Sequence, residues 1–382
     1  MKRILKFLAY TLLTILIVLN LFIVVTGKYY LYKTLVYNFV DIDDLDLFEH
    51  RTVAAGKGVE WPLSNNYNEA KMPHYLLQKL VTYKSVAFAI IKNDSLFYEQ
   101  YWDGYNDTSI SNSFSMAKSI VSVLVGIAVD EGKIKSIDEP VANYIPEFKE
   151  GGKEKITIRH LLSMSSGLDW EEAYANPLSE TSEAYYGTDL YGLVTRQKAI
   201  TEPGKRFLYQ SGNSELLALI VVKATGRTLS DYASEKLWKP LQAMHNAEWS
   251  LDKKDGNEKA YCCFYSDAKD FARLGSLYLH HGNWKGMQIV SQKYVDECIT
   301  CAPLLDNDKP NKSYGLHWWI SEYNGEKVFY MRGILGQYVV VIPDKNIVFV
   351  RLGHKRPEKN AQGELVDVPV YIKGVLEMTE NN

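Results

Sequence analysis

A serine and a lysine stand three residues apart, Ser115 and Lys118, and lead straight into the apolar run Ile120 to Val129. On a helix that separation puts both side chains on one face, one turn apart. A serine hydroxyl is a weak nucleophile until a neighbour takes its proton. A lysine can take it only if burial or a nearby cation lowers its pKa toward neutrality. A mostly buried helix provides the burial, and its N-terminus favours negative charge developing at the serine. The chemistry this predicts is attack on a carbonyl by Ser115 with Lys118 as base.

The same spacing occurs at Ser250/Lys253 and at Ser266/Lys269. Ser250 precedes the charged, glycine-containing stretch Asp252 to Gly256, which reads as a surface turn. Ser266 precedes the helical pattern Asp270 to Leu279 and reads as a helix N-cap. Only at Ser115 does the lysine enter a buried helix.

Two further stretches have the composition of partners. Glu202 to Asn213 presents Tyr209 and Ser211 on a polar loop just before the apolar helix Leu216 to Ala224. A tyrosine beside a lysine can serve as acid or base, because a nearby cation lowers its pKa. Arg332-Gly333-Ile334 precedes the strand Tyr338 to Ile342. Glycine lets a backbone approach a ligand closely, so the N–H groups of Ser115 and Ile334 could pair as an oxyanion hole.

The elements that must position these residues alternate in texture. Pro73 to Tyr83 reads as a short amphipathic helix, followed by a hairpin of Ser85 to Ile91 and Leu96 to Trp102 around a polar turn. From about 134 to 300 the periodicity is mainly helical, broken by polar loops. The longest loop, Asp169 to Asp189, carries Tyr174, Tyr185 and Tyr186 and is expected to hang over a cleft, with Tyr174 touching substrate. Leu316 to Ser321, Lys327 to Arg332, Gln337 to Ile342 and Ile347 to Leu352 read as strands, and Pro369 to Met378 as a final helix. Strands at both ends with helices between them predict an α/β (α+β) fold, one antiparallel sheet closed by the two termini around a helical insertion.

At the N-terminus, Lys2, Arg3 and Lys6 precede an uncharged, mostly apolar run from Phe7 to Val25, long enough to span a bilayer as a helix. No good small-x-small cleavage site follows, and a cleaved signal peptide is the alternative. The expected organisation is an uncleaved signal anchor over 1–27, a juxtamembrane stalk over 28–70 and an extracytoplasmic catalytic domain over 71–382. A net charge of −3 without a basic cluster gives no reason to expect nucleic acid. Cys262, Cys263, Cys298 and Cys301 are left as buried thiols or one disulfide. His160 reads as a packing or hydrogen-bonding residue and His280-His281 as a helix end. No metal-ligand pattern stands out, so neither a metal nor another cofactor is expected.

The order Ser115-x-x-Lys118, Tyr209-x-Ser211, then a glycine-bearing strand near the C-terminus resembles the serine β-lactamase and penicillin-binding protein superfamily. The stretches Ile156 to Trp170 and Phe271 to Leu279 add to the resemblance, which covers roughly 80 to 355. Within the superfamily the chain is similar to the group of class C β-lactamases, DD-peptidases, related esterases and 6-aminohexanoate-dimer hydrolases. Glu172-x-Tyr174-x-Asn176-Pro177-x-Ser179 and Gly336-Gln337-Tyr338 lean it toward the last branch. The resemblance implies that Ser115 is acylated, Lys118 is the neutral base and Tyr209 shuttles the proton to the leaving group. It implies substrate contacts at Ser211 and at Met331-Arg332-Gly333, where relatives carry Lys/His-Thr-Gly. Without a first lysine or histidine, Arg332 is a partial substitute that should alternate to the other face of its strand. The expected function is a serine hydrolase of small-molecule amides or esters. The alternatives are a DD-peptidase or peptidoglycan-editing amidase, a β-lactamase, and, from another class, a non-catalytic membrane-anchored binding module.

Overall fold

The structure is a computed structural model that describes residues 1–37, 39–360 and 365–380. Helix α1 (Lys2–Thr26) is mostly apolar all round from Phe7 to Val25, and only Ile23 is buried in the protein. It is long and apolar enough to cross a membrane. Helix α2 (Tyr30–Tyr37) follows within a few residues.

The body is built on a six-stranded antiparallel sheet. After helix α3 (His74–Thr82) come β1 (Ser85–Lys92) and β2 (Ser95–Tyr101), and the C-terminal part adds β3 (Trp319–Tyr323), β4 (Glu326–Gly333), β5 (Gln337–Ile342) and β6 (Ile347–Gly353). Their spatial order is β3-β4-β5-β6-β1-β2, so β6 pairs with β1 and the two ends of the chain close one sheet, as expected. The edge strand β3 starts later than the apolar pattern suggests. Leu316 bonds to the Cys298 carbonyl instead, and His317 turns the chain at φ 62°.

The central strands are buried on both faces, which explains their near-continuous Val/Ile runs. One face packs Phe88, Val340 and Phe349 against Leu76 and Leu80 of α3 and against Tyr371 and Val375 of the last helix, Val368–Glu380. Each such side chain contributes about 1.5–3 kcal/mol by leaving water. The other face receives the helix Ala268–Leu279, while the buried helix Ala117–Asp130, here α4, packs against the helix Ser211–Thr225. Gly275 lets the helix Ala268–Leu279 lie against the sheet: a Cβ there would stand 2.6 Å from Val348 Cγ1. Its N-cap is Asp267, whose side chain accepts from the Asp270 N–H, so Ser266 is not the cap expected of it. Ser266 is instead buried in the strand Phe264–Ser266.

The insertion is not purely helical. Ala247–Ser250 and Phe264–Ser266 form a small sheet with Ser111–Asn112 and with His50–Val53 from the segment expected as a stalk. That segment is therefore woven into the domain. Tyr30 and Leu31 of α2 are buried, and Tyr37 stacks on Tyr186 at 6.4 Å between ring centroids. The long loop likewise contains a helix, α5 (Glu180–Tyr186), capped by Ser179. Strands this short and a helix inside a polar loop carry too few residues for periodicity to reveal them.

Candidate active site

The turn before α4 is conditioned by one unusual backbone. Phe114 has φ 42°, a left-handed conformation that costs a non-glycine residue energy and turns the chain sharply just ahead of Ser115. Its N–H donates to Asn112 Oδ1 at 2.8 Å, and the Ser113 N–H donates to the Phe264 carbonyl at 2.8 Å. Ser115 then lies in a 3₁₀ turn that feeds α4, whose first turn carries Lys118.

Lys118 is 1 % exposed. Its Nζ donates to Ser115 Oγ at 3.1 Å and to the Tyr261 carbonyl at 2.7 Å. Burial lowers its pKa to about 8, with Arg332 pushing the same way and Glu172 and Glu215 opposing. The sequence thus places together the pair it suggests. Tyr209 joins them, its ring centroid 5.2 Å from Lys118 Nζ. One expectation is reversed. Burial raises the Tyr209 pKa well above the ordinary phenol range, and the lowering by Ser115, Arg332 and Arg356 is the smaller effect. The phenol is held protonated.

Gly333 ends β4 where a Cβ would stand 2.3 Å from the Ser113 carbonyl oxygen, so only glycine lets the two backbones meet. Ile334 follows at once, beside Ser115 on the wall of one cavity. The turn after it is braced by Arg351, which the sequence did not single out. This fully buried guanidinium donates to the carbonyls of Leu335 (2.9 Å), Gly336 (2.7 Å), Tyr83 (2.6 Å) and Lys355 (2.9 Å), and to Ser85 Oγ (2.9 Å). Gln337 adds a second brace, its Nε2 donating to the Gly353 carbonyl at 2.7 Å.

Arg332 leaves its strand on the side opposite Met331, which is buried in the core. The guanidinium folds back over Trp319, 3.6 Å from the ring centroid. Trp319 in turn lies 5.6 Å from the Tyr209 ring, so a positive charge stands at the rim despite the strand's alternation.

Ser211 is 1 % exposed and is claimed by Glu172. One carboxylate oxygen accepts from Ser211 Oγ (2.7 Å) and Tyr174 Oη (2.7 Å), the other from the Ser211 N–H (2.7 Å) and Trp170 Nε1 (2.8 Å). Glu172 therefore ties the Tyr174 loop to the N-terminus of the helix Ser211–Thr225, and its charge reaches Lys118. Behind them Glu215, buried and shifted up to about 8, accepts from the Ala260 N–H at 2.9 Å and fixes the segment whose next carbonyl holds Lys118. Cys262 and Cys263 of that segment form a disulfide with each other, while Cys298 and Cys301 are free.

The histidines stay structural. His160 Nδ1 accepts from the Thr157 N–H in a capping box. His317 is buried and driven down to about 3, which keeps the ring neutral: Nδ1–H donates to the Leu162 carbonyl and Nε2 accepts from Ser214 Oγ. Ser115, Tyr174, Ser211 and Ile334 all line a cavity of about 880 Å³.

A serine, a buried lysine and a protonated tyrosine around such a cavity can perform acyl transfer. Residues 76–367 match the family described as Beta-lactamase. The chain is 27% identical over 298 residues to the 6-aminohexanoate-dimer hydrolase of Paenarthrobacter ureafaciens, covering 72% of this chain and 74% of that one. Among solved structures it resembles a putative 6-aminohexanoate-dimer hydrolase from Bacillus anthracis (TM-score 0.76, 23% identity, 87% and 91% of the two chains). It also resembles a family VIII carboxylesterase (TM-score 0.64, 15% identity, 84% and 99%). With most of its length matched, the chain belongs to the β-lactamase family of serine hydrolases.

Proposed function

We propose that this protein hydrolyses an amide or ester through an acyl-enzyme on Ser115. The observation that carries the reading is the 3.1 Å contact between Ser115 Oγ and a lysine whose burial brings its pKa to about 8. Neutral Lys118 takes the proton from Ser115 Oγ as the Oγ–C bond forms. The N–H groups of Ser115 and Ile334 receive the oxyanion. As the C–N or C–O bond breaks, Tyr209 gives its proton to the leaving group and is reprotonated from Lys118. Water then attacks the acyl carbon, its proton passes to the Tyr209/Lys118 pair, and Ser115 Oγ departs with a proton. Gly333, Arg332, Tyr174 and Ser211 shape the substrate side. Relatives named for 6-aminohexanoate dimers favour amides with short aliphatic spacers as a first screen.

The reading places α1 across a membrane as an uncleaved anchor with the catalytic domain outside the cytoplasm, on the strength of its length, its apolarity and the preceding Lys2, Arg3 and Lys6. Hydrolysis of p-nitrophenyl acetate tests the enzymatic claim. Ser115→Ala should abolish turnover and Lys118→Ala should lower kcat about 10²–10⁴-fold. Unchanged turnover in Ser115→Ala would end the proposal.

A further inference from the structure

One wall of the cavity, next to the helix Glu180–Tyr186, is not made by the catalytic core. It is made by Leu35 of α2 and by Phe39 and Val40 just beyond it. These residues are held in place. The Ile42 carbonyl accepts from the Asn112 N–H at 3.0 Å, two residues before Phe114, and Asp41 pairs with His354 at 2.6 Å. Yet Leu35 is 58% and Phe39 82% exposed, an apolar surface that the fold leaves in solvent beside its own active site. Gly27 ends α1, and the eight residues of α2 rise only about 12 Å. The apolar side of the cavity mouth therefore lies within about one short helix of the membrane-spanning segment. The cavity lining also carries two basic residues, Lys355 and Arg356.

We infer that the substrate is a membrane-resident amphiphile whose aliphatic chain runs along Leu35, Phe39 and Val40. This rests on the hydrolase and anchor readings above and deepens them. The reaction is unchanged: one water is consumed, the acyl C–O or C–N bond breaks, and a carboxylic acid and an alcohol or amine leave.

The test uses the full chain in phospholipid nanodiscs and two probes, an ethyl- and a dodecyl-fluorophosphonate, with labelling rates read by intact mass. Each labels by forming a Ser115 Oγ–P bond with loss of fluoride, the proton going to Lys118. The wild type should take the dodecyl probe at least tenfold faster than the ethyl probe. Leu35→Ser/Phe39→Ser should cut that ratio about tenfold. Val36→Ser, on the same helix but off the cavity wall, should leave the ratio intact. Equal rates for the two probes, an undiminished ratio in the double variant, or an equal fall in Val36→Ser would overturn the inference. A folded chain that takes neither probe would overturn the hydrolase reading, and this inference with it.

Discussion

Lys118 Nζ sits between two oxygens, 3.1 Å from the Ser115 hydroxyl and 2.7 Å from the Tyr261 carbonyl. The carbonyl fixes where the amine points, and the burial around it decides how readily the amine loses its proton. Position and basicity thus come from different parts of the fold, so they can be perturbed separately.

As the proposed base Lys118 must be neutral, and burial brings its pKa to about 8. Below that pH the amine is protonated and cannot accept from Ser115, so kcat/KM should fall with unit slope as pH drops through about 8. Lys118→Arg should remove the limb along with activity, because a guanidinium does not deprotonate in this range. A pH–rate profile on p-nitrophenyl acetate checks both.

Glu172 raises the Lys118 pKa by its negative charge, as Glu215 does, while Arg332 lowers it. Glu172→Gln keeps a similar shape and removes the charge. Lys118 should then deprotonate more easily, moving the acid limb of kcat/KM to lower pH. An acid limb that stays in place or moves upward would show that Glu172 acts only as a tether.

A Cβ at Gly333 would stand 2.3 Å from the Ser113 carbonyl, so Gly333→Ala must push β4 away from the turn that presents Ser115. If the Ile334 N–H holds the oxyanion, losing its alignment should cost about 3 kcal/mol, a 10²–10³-fold fall in kcat. Steady-state kinetics with KM resolved from kcat would separate this from a weaker fit of substrate.

Arg351→Met leaves the carbonyls of Tyr83, Leu335, Gly336 and Lys355 without their shared donor inside the protein. Buried acceptors left unpaired cost about 1–3 kcal/mol each. Denaturant unfolding should show a loss of several kcal/mol, and whatever folds should have reduced kcat because the Ile334 turn has lost its brace.

The parts of the site legible in sequence are those carried by local pattern. A serine and lysine one helical turn apart, entering a run of buried residues, marked Ser115 and Lys118 without any knowledge of the fold. Alternating and continuous apolar strands at the two ends foretold the sheet. Arg351 and Glu172 could not be read this way. Arg351 looks like one polar residue in a strand, and only the convergence of three chain segments on its guanidinium gives it a role. Glu172 sits in a polar loop among other acids, and its partner Ser211 is 39 residues away. The Leu35 and Phe39 wall was hidden for the opposite reason: the acidic residues after it made the whole segment read as a stalk, whereas Asp44 bonds to Tyr185 and Asp41 to His354 within the domain. Tyr209 does stand beside Lys118, but its expected electrostatics are reversed, because burial outweighs neighbouring charge at a distance no sequence reveals.

The most direct test of the central claim is the intact mass of the protein after treatment with a small fluorophosphonate, beside Ser115→Ala and Lys118→Ala. An activated serine predicts one adduct on the wild type, none on Ser115→Ala and slow labelling of Lys118→Ala. A folded wild type that gains no mass, or a Ser115→Ala variant that still gains it, would contradict the account.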